Sequence, residues 1–195
     1  QNIYIVNYKN YYILKYPYEY NNFDSKWKYY CKGAIIDKHT NNIVCIPPIR
    51  SEYLDNTDCL ASENICFQDL IDGTMVNLFY DKYNDKWTIS TRSNIGGNNK
   101  LNNIPCKNLF NDCGGNLIDY NLLNKKCSYS FVLMHKQNRN VSKIVNNCII
   151  LVDIFNLDTF SYLDNIDINI YKSPHISYNI TSKIMSLDEY NKYTS

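Results

Sequence analysis

Residues 74–92 read TMVNLFYDKYNDKWTISTR, and this stretch decides the fold. In its first half, Met75, Asn77 and Phe79 fall on one side of an extended chain, and the residues between them fall on the other. The polar segment Asp81–Asp85 has the composition of a turn, and Lys86–Arg92 reads as a returning strand. The pattern therefore predicts an antiparallel β-hairpin.

The rest of the chain is also predicted to consist mainly of strands and hairpins. Tyr30–Ile36 and Ile43–Ile46 form a second predicted hairpin, which must end at Pro47-Pro48 because proline cannot donate to a sheet. Further strands are predicted at Ile3–Val6, Tyr11–Lys15, Ser128–Met134 and Cys148–Phe155, and helical turns at Ile104–Tyr120. Many hairpins and few helices indicate an antiparallel α+β domain rather than alternating βαβ units.

Length and charge narrow the functional classes. The chain has 195 residues, a size that fits one domain spanning residues 1–195. A net charge of +1 excludes a strongly basic nucleic-acid coat protein, because phosphate contacts need clustered lysine and arginine. No apolar run approaches the roughly 20 residues of a membrane helix, and the first residues do not form a signal segment. We therefore expect no membrane partner and an intracellular location.

The cysteine pattern indicates thiols rather than a metal centre. The chain has eight cysteines, and no two of them are spaced as Cys-x-x-Cys. In an intracellular protein of this length, buried cysteines are expected to stay reduced. The sequence therefore predicts free thiols and no zinc site or other metal site.

One short motif precedes the hairpin, and four further blocks accompany it. Asp72-Gly73-Thr74 would, by itself, be an ordinary turn before a strand. The accompanying blocks are Cys31-Lys32-Gly33, Ile46-Pro47-Pro48-Ile49-Arg50, Ser90-Thr91-Arg92-Ser93 and the segment Ser130–Val141, which contains Arg139. In order and spacing these blocks, over residues 25–160, resemble RNA ligases of the T-even phage type and RNA ligase-like proteins of large DNA viruses.

The resemblance implies a fold and a set of site residues. The fold would be the nucleotidyltransferase (ATP-grasp-like) domain of covalent ligases, a twisted antiparallel sheet with peripheral helices. Its nucleotide site would comprise Asp72, Gly73, Thr74 and Arg92, with a glycine that lets the backbone approach the nucleotide. ATP and Mg²⁺ would be the cofactors of an intact pocket. Further contacts to RNA or phosphate would come from Lys32, Arg50 and Arg139.

The departures from the family pattern are as informative as the matches. Leu70 stands where these enzymes carry the lysine that attacks the nucleotide, and an alkyl side chain has no nucleophile. Val132 stands at the position of a family glutamate. The next lysines, Lys82 and Lys86, lie beyond a strand on the order of 20 Å long. No catalytic residue is therefore assigned, and a degenerate enzyme is expected.

The last two family motifs are not evident before Ser195, so the domain has either lost them or is cut short at its C-terminus. Three functions remain open. The first is a catalytically degenerate descendant that binds a nucleotide, RNA or a protein partner, in the host cytoplasm or the virion if viral. The second is an active ATP-dependent RNA ligase with a relocated lysine. The third is a viral structural or interaction protein that kept only the fold.

Simpler explanations exist for individual residues. Arg92 would equally suit a solvated charge at a strand end, and Arg139 a structural ion pair. His135, the lone histidine after a strand, is expected at the surface or in a capping role, because no catalytic partner can be identified beside it.

Overall fold

The computed structural model describes residues 3–17, 25–49, 65–67, 71–138, 141, 143–163, 176–178 and 183–185, with the backbone alone at 65–67, 176–178 and 183–185. These parts form a mixed α+β structure in which antiparallel sheets dominate and helices are few. The predicted fold class is therefore confirmed at the level of α+β.

Fourteen strands and one α-helix are present in the described parts. The strands are β1 (Tyr4–Asn7), β2 (Tyr11–Lys15), β3 (Ile35–Asp37), β4 (Ile43–Cys45), β5 (Ile65–Phe67), β6 (Thr74–Asp81), β7 (Lys86–Ser90), β8 (Lys100–Leu101), β9 (Ile104–Pro105), β10 (Cys127–Met134), β11 (Cys148–Asn156), β12 (Ser161–Tyr162), β13 (Ile176–Tyr178) and β14 (Lys183–Met185). The helical segments are α1 (Cys106–Asp112) and the 3-10 helices Lys26–Cys31, Gly115–Leu117 and Tyr120–Leu122.

Two sheets carry the architecture. The first sheet has the order β1-β2-β3-β4, and the second has the order β12-β11-β10-β6-β7, with β13 added parallel to β11. Strands β8 and β9 form a small pair, as do β5 and β14. The predicted hairpin of residues 74–92 is the β6–β7 pair, with Asn77 opposite Ser90 and Asp81 opposite Lys86.

The alternation along β6 separates two cores. Val76 and Leu78 belong to the core between the second sheet and α1, which also contains Phe110. Phe79 points to the opposite face, where it packs with Tyr11 of the first sheet, their ring centroids 5.5 Å apart. The second sheet is therefore covered on both faces, by α1 on one side and by the first sheet on the other.

A buried carboxylate ties the β6–β7 turn to the first sheet. Asp37, at the end of β3, accepts hydrogen bonds from the Tyr83 hydroxyl at 2.9 Å and from the backbone N–H groups of His39 and Thr40 at 2.8 and 3.1 Å. Lys82 pairs with it at 2.7 Å. Burial alone would raise the pKa of Asp37, but these donors lower it to about 2. The carboxylate therefore stays charged and fixes the two sheets together at this end.

Helix α1 lies within the segment predicted to be helical, and it is shorter. Cys106, Leu109, Phe110 and Cys113 repeat at helical spacing and are fully buried. Gly114 follows with a φ of +103°, a left-handed conformation that favours glycine and ends the helix.

The predicted strand Tyr30–Ile36 is wrong at its beginning. Residues Lys26–Cys31 form a 3-10 helix, and β3 begins only at Ile35. The β-forming composition suggested a strand, but Lys28 and Cys31, three residues apart, form one edge that is buried. A period of three places these side chains on the same side of a 3-10 helix.

Two further predictions concern the state of the cysteines and the presence of a membrane-spanning helix. Cys31, Cys45, Cys106, Cys113, Cys127 and Cys148 are free thiols. The side chains of the remaining two, Cys59 and Cys66, lie outside the described residues. Within the part of the chain that the structure describes, no helix is long and apolar enough to cross a membrane.

Candidate functional site

The block Asp72-Gly73-Thr74 lies at the start of β6, as the sequence predicted. Thr74 pairs with Leu133 of the adjacent strand β10. Its hydroxyl accepts a hydrogen bond from the side-chain amide of Asn138 at 2.8 Å, from the turn that follows β10. The block is therefore fixed by contacts to two segments of the later Ser130–Val141 motif.

Gly73 approaches β10 too closely for any side chain. A Cβ atom at this position would lie 2.5 Å from Cγ1 of Val132 and 2.7 Å from the carbonyl oxygen of Leu133. Packing within the sheet therefore suffices to require glycine here. Val132, the residue at the position of the family glutamate, is itself buried. An apolar contact occupies the place that the resemblance gives to a carboxylate.

Arg92 lies at the same end of the hairpin as Thr74. It follows β7 by two residues, and the last residue of β7, Ser90, pairs with Asn77. The prediction that the strand continues to Arg92 is wrong, because the Thr91 N–H donates to the Asn94 carbonyl at 2.8 Å and the chain turns. Arg92 is therefore presented from a loop rather than from the sheet.

The Lys32-Gly33 block meets Arg92 directly. Gly33 has a φ of +101°, and a Cβ atom there would lie 2.8 Å from the Arg92 Cα. The Gly33 N–H donates to the Leu14 carbonyl at 2.8 Å, which holds the block against β2. Lys32 places its ammonium 5.6 Å from the centre of the Tyr16 ring. The structure thus brings the Lys32-Gly33 block into contact with Arg92, at the hairpin end where β6 begins.

Leu70, Arg50 and Arg139 lie outside the described residues. His135 is buried rather than at the surface, and its Nδ1 accepts the Gln137 N–H at 3.0 Å. The expected capping role is therefore the correct one of the two alternatives for this histidine.

Sequence reasoning missed a polar row on the inner face of the second sheet. Cross-strand pairing aligns Ser90, Asn77, Ser130 and Asp153 across β7, β6, β10 and β11. Asn77 is fully buried, and its Oδ1 accepts the Ser130 hydroxyl at 2.9 Å. Its Nδ2 is buried without a hydrogen-bond partner. The signal was present in the sequence, since the alternation places Asn77 on the same face as Phe79.

Burial dominates the electrostatics of this row. It raises the pKa of the Asp153 carboxyl to about 6. On the facing strand β4, it raises the pKa of the Cys45 thiol to about 12, although the Ser128 and Ser90 hydroxyls lie close enough to oppose the shift. At neutral pH the thiol is therefore protonated and unreactive.

The described residues do not form a cluster of metal ligands. Among them, no three histidine, cysteine, aspartate or glutamate side chains converge on a point where a metal ion could be held. Asp72 is the one carboxylate that the motif brings to the start of β6. Neither a family model nor a curated protein sequence matches this chain.

Proposed function

We propose that this chain is an RNA ligase-like nucleotidyltransferase domain that has lost the covalent step and binds a nucleotide at the start of β6. The observation that carries the proposal is the contact of Gly33 with Arg92 at the end of the β6–β7 hairpin where Asp72–Thr74 begins β6. These blocks are far apart in sequence, and the resemblance assigns all of them to one family pattern. Their convergence at one end of the fold is what a shared ligand would require.

The chemistry at this end suits an anionic ligand better than a reaction. Arg92 offers a planar guanidinium that can bind phosphate oxygens in pairs, and Lys32 adds a second positive charge on the neighbouring block, next to Gly33. The expected nucleophile is replaced by Leu70 in the sequence. Lys82, a lysine considered as a relocated nucleophile, pairs with Asp37 at the opposite end of β6. The domain is therefore expected to bind the nucleotide without forming a covalent adduct.

The residues at this site do not suit a Mg²⁺ ion bound by the protein itself. Val132 is apolar and buried where a metal-binding carboxylate would stand, and the other described acidic groups do not gather around Asp72. Magnesium prefers several oxygen ligands in near-octahedral geometry. The nucleotide itself would therefore have to carry the ion, and no step of the proposal depends on the protein holding it.

Two measurements test the proposal. Incubation with labelled ATP and Mg²⁺, followed by a denaturing gel, should show no covalent adduct. Thermal unfolding with ATP should show a higher midpoint, since a ligand at 100 times its Kd stabilises the native state by about 2.7 kcal/mol. Arg92→Ala should remove the shift, and Arg92→Lys should keep part of it, because lysine retains the charge but not the paired hydrogen bonds.

Lys86→Ala provides the matched control. Lys86 is an exposed cation at the opposite end of the same hairpin. Its loss should leave the ATP-induced shift unchanged. A covalent adduct would overturn the proposal in favour of an active ligase, and equal effects of Lys86→Ala and Arg92→Ala would show that the charge effect is not local.

A second candidate, a viral structural or interaction protein that kept only the fold, is favoured by one observation. The glycine at position 73 is fully explained by Val132 and Leu133, so its presence does not require a nucleotide. If ATP leaves the unfolding midpoint unchanged, this second candidate replaces the first.

A further inference from the structure

We propose that a second surface, separate from the start of β6, binds single-stranded nucleic acid by stacking and phosphate contacts. The surface consists of Trp27 and Tyr30 on the 3-10 helix Lys26–Cys31 and Phe160 on the β11–β12 loop, and it is called the aromatic platform below. The proposal does not depend on nucleotide binding by Arg92.

The period of the 3-10 helix creates one side of the platform. With three residues per turn, Trp27 and Tyr30 share an edge, and their Cα atoms are displaced by about 6 Å along the axis. Lys28 and Cys31 share the buried edge, which anchors the helix. The Lys28 ammonium lies 5.7 Å from the centre of the Trp27 ring. Trp27 is nevertheless 57% exposed, a large area for a residue of this size.

The β11–β12 loop supplies the other side. Asn156 accepts the backbone N–H groups of Asp158 and Thr159 at 2.9 and 3.2 Å, which fixes the turn. Phe160 then adopts a φ of +53°, a conformation that bulky residues rarely take, and its ring is 53% exposed. Backbone strain that leaves an aromatic ring in solvent is a common mark of a binding surface.

Contacts between the rings join the two sides. The Phe160 ring lies 6.1 Å from that of Tyr30 and 5.2 Å from that of Phe155, which is buried in the core below. Phe155 also packs edge-on against Tyr162 at 5.0 Å. The exposed Phe160 ring therefore rests on packed aromatic side chains, so a nucleobase that stacks on it would not have to order this side of the surface first.

The charge around the platform suits a polyanion. Residues 25–32 read SKWKYYCK, which interleaves three lysines with three aromatic residues and contains no acidic residue. Of these lysines, Lys26 is exposed and adjoins Trp27 in the chain, whereas Lys28 lies on the buried edge of the helix. The nearest acid on the loop, Asp158, is paired with Lys126 at 2.6 Å. Exposed aromatic rings with flanking cations are the combination that binds single strands without sequence preference.

The test is a binding measurement with a fluorescein-labelled oligouridylate of about 12 nucleotides, followed by anisotropy at several salt concentrations. The wild-type chain should bind, and Trp27→Ala and Phe160→Ala should each weaken binding about tenfold. Trp27→Phe, which keeps an aromatic face, should retain most of the affinity. Lys26→Ala should reduce the slope of log K against log salt concentration by about 0.7.

Matched control variants distinguish binding at the aromatic platform from nonspecific binding. Leu122→Ala removes an equally exposed apolar residue, 55% accessible, from the helix side of the second sheet and should change nothing. Lys86→Ala removes an exposed positive charge and should also leave binding unchanged. Absence of binding by the wild type, or equal weakening by Leu122→Ala and Trp27→Ala, would overturn the proposal. Because the ATP-induced thermal shift is measured separately, either proposal can fail while the other stands.

Discussion

Asp37 and Asp153 show how one residue type acquires opposite properties from its surroundings. Asp37 receives hydrogen bonds from Lys82, Tyr83 and two backbone amides, which hold its pKa near 2 in spite of burial. Asp153 is also mostly buried, but burial alone acts on it and raises its pKa to about 6. The first carboxylate therefore stabilises the fold as an anion, whereas the second destabilises it as an anion.

Asp153→Asn is therefore expected to stabilise the protein near neutral pH. In the folded state the carboxyl titrates near 6, and unfolded it titrates near 3.8. The folded chain thus keeps a proton that the unfolded chain has released between these values, and stability falls as pH rises through that window. At pH 7 the substitution should raise the free energy of unfolding by about 1–2 kcal/mol, after discounting for partial exposure. Urea unfolding at pH 7 and pH 4 measures the difference.

At pH 4 the gain should largely vanish, because the carboxyl is then protonated in the folded state. Asp37 also contributes a pH dependence near pH 4, but it does so equally in both chains and therefore cancels from the difference between them. The Tyr162 phenol, whose pKa is raised by burial and by Asp153, also stays neutral in this range. An equal effect at both pH values would show that the carboxylate has a partner in the folded protein.

At the scale of elements, periodicity predicted the strands well and the helices less well. The strands β6, β10 and β11 were predicted almost to their ends, because each alternates or runs apolar over many residues and is packed on both faces. The segment Tyr30–Ile36 was predicted as a strand from the β-forming composition of residues 27–36. Its 3-10 helix is set by the burial of Lys28 and Cys31, a tertiary effect that local propensity does not contain.

The contact between β6 and β10 gives a prediction at this scale. Gly73→Ala would place a methyl group 2.5 Å from the Val132 side chain and 2.7 Å from a β10 carbonyl, so the strands must separate. Such overpacking costs about 1–3 kcal/mol. The free energy of unfolding should fall by that amount, and Val132→Ala in the same chain should recover only part of it, because the Leu133 carbonyl oxygen remains in place. Ser93→Ala, at an exposed loop position, serves as the neutral control.

Should Gly73→Ala leave stability unchanged, the close approach would not be rigid. If it then abolished the ATP-induced shift, the glycine would serve the nucleotide rather than the sheet. The two roles of the residue are thus separable by measuring stability and ligand response on one variant.

At the scale of the molecule, the sequence located the candidate site better than it explained it. The blocks around Asp72 and Arg92 could be identified in the sequence, and the observed hairpin register places them at one end. The contact of Gly33 with Arg92 could not be predicted, because it joins residues far apart in sequence and depends on a positive φ. For the polar row, the alternation in the sequence places Asn77 on the face of Phe79, but the alignment of Asn77 with Asp153 requires the pairing of β10 with both β6 and β11.

The two cores raise the question of whether the sheets unfold together. Cys45 lies fully buried between the sheets, and Cys106, the first residue of α1, lies fully buried beneath the second sheet. Burial raises the thiol pKa to about 12 for Cys45 and about 11 for Cys106, so both should resist alkylation until the chain opens. Each thiol therefore reports the unfolding of its own core.

Because the second sheet is shared by both cores, the two thiols are expected to become reactive at the same urea concentration. Alkylation followed by mass spectrometry of the peptides gives both midpoints from one experiment. Coincident transitions are the mark of a single cooperative unit. Cys148, which is only partly buried, provides the reference for a thiol that reacts earlier. An earlier transition at Cys45 than at Cys106 would instead mean that the first sheet detaches while the second sheet and α1 stay folded.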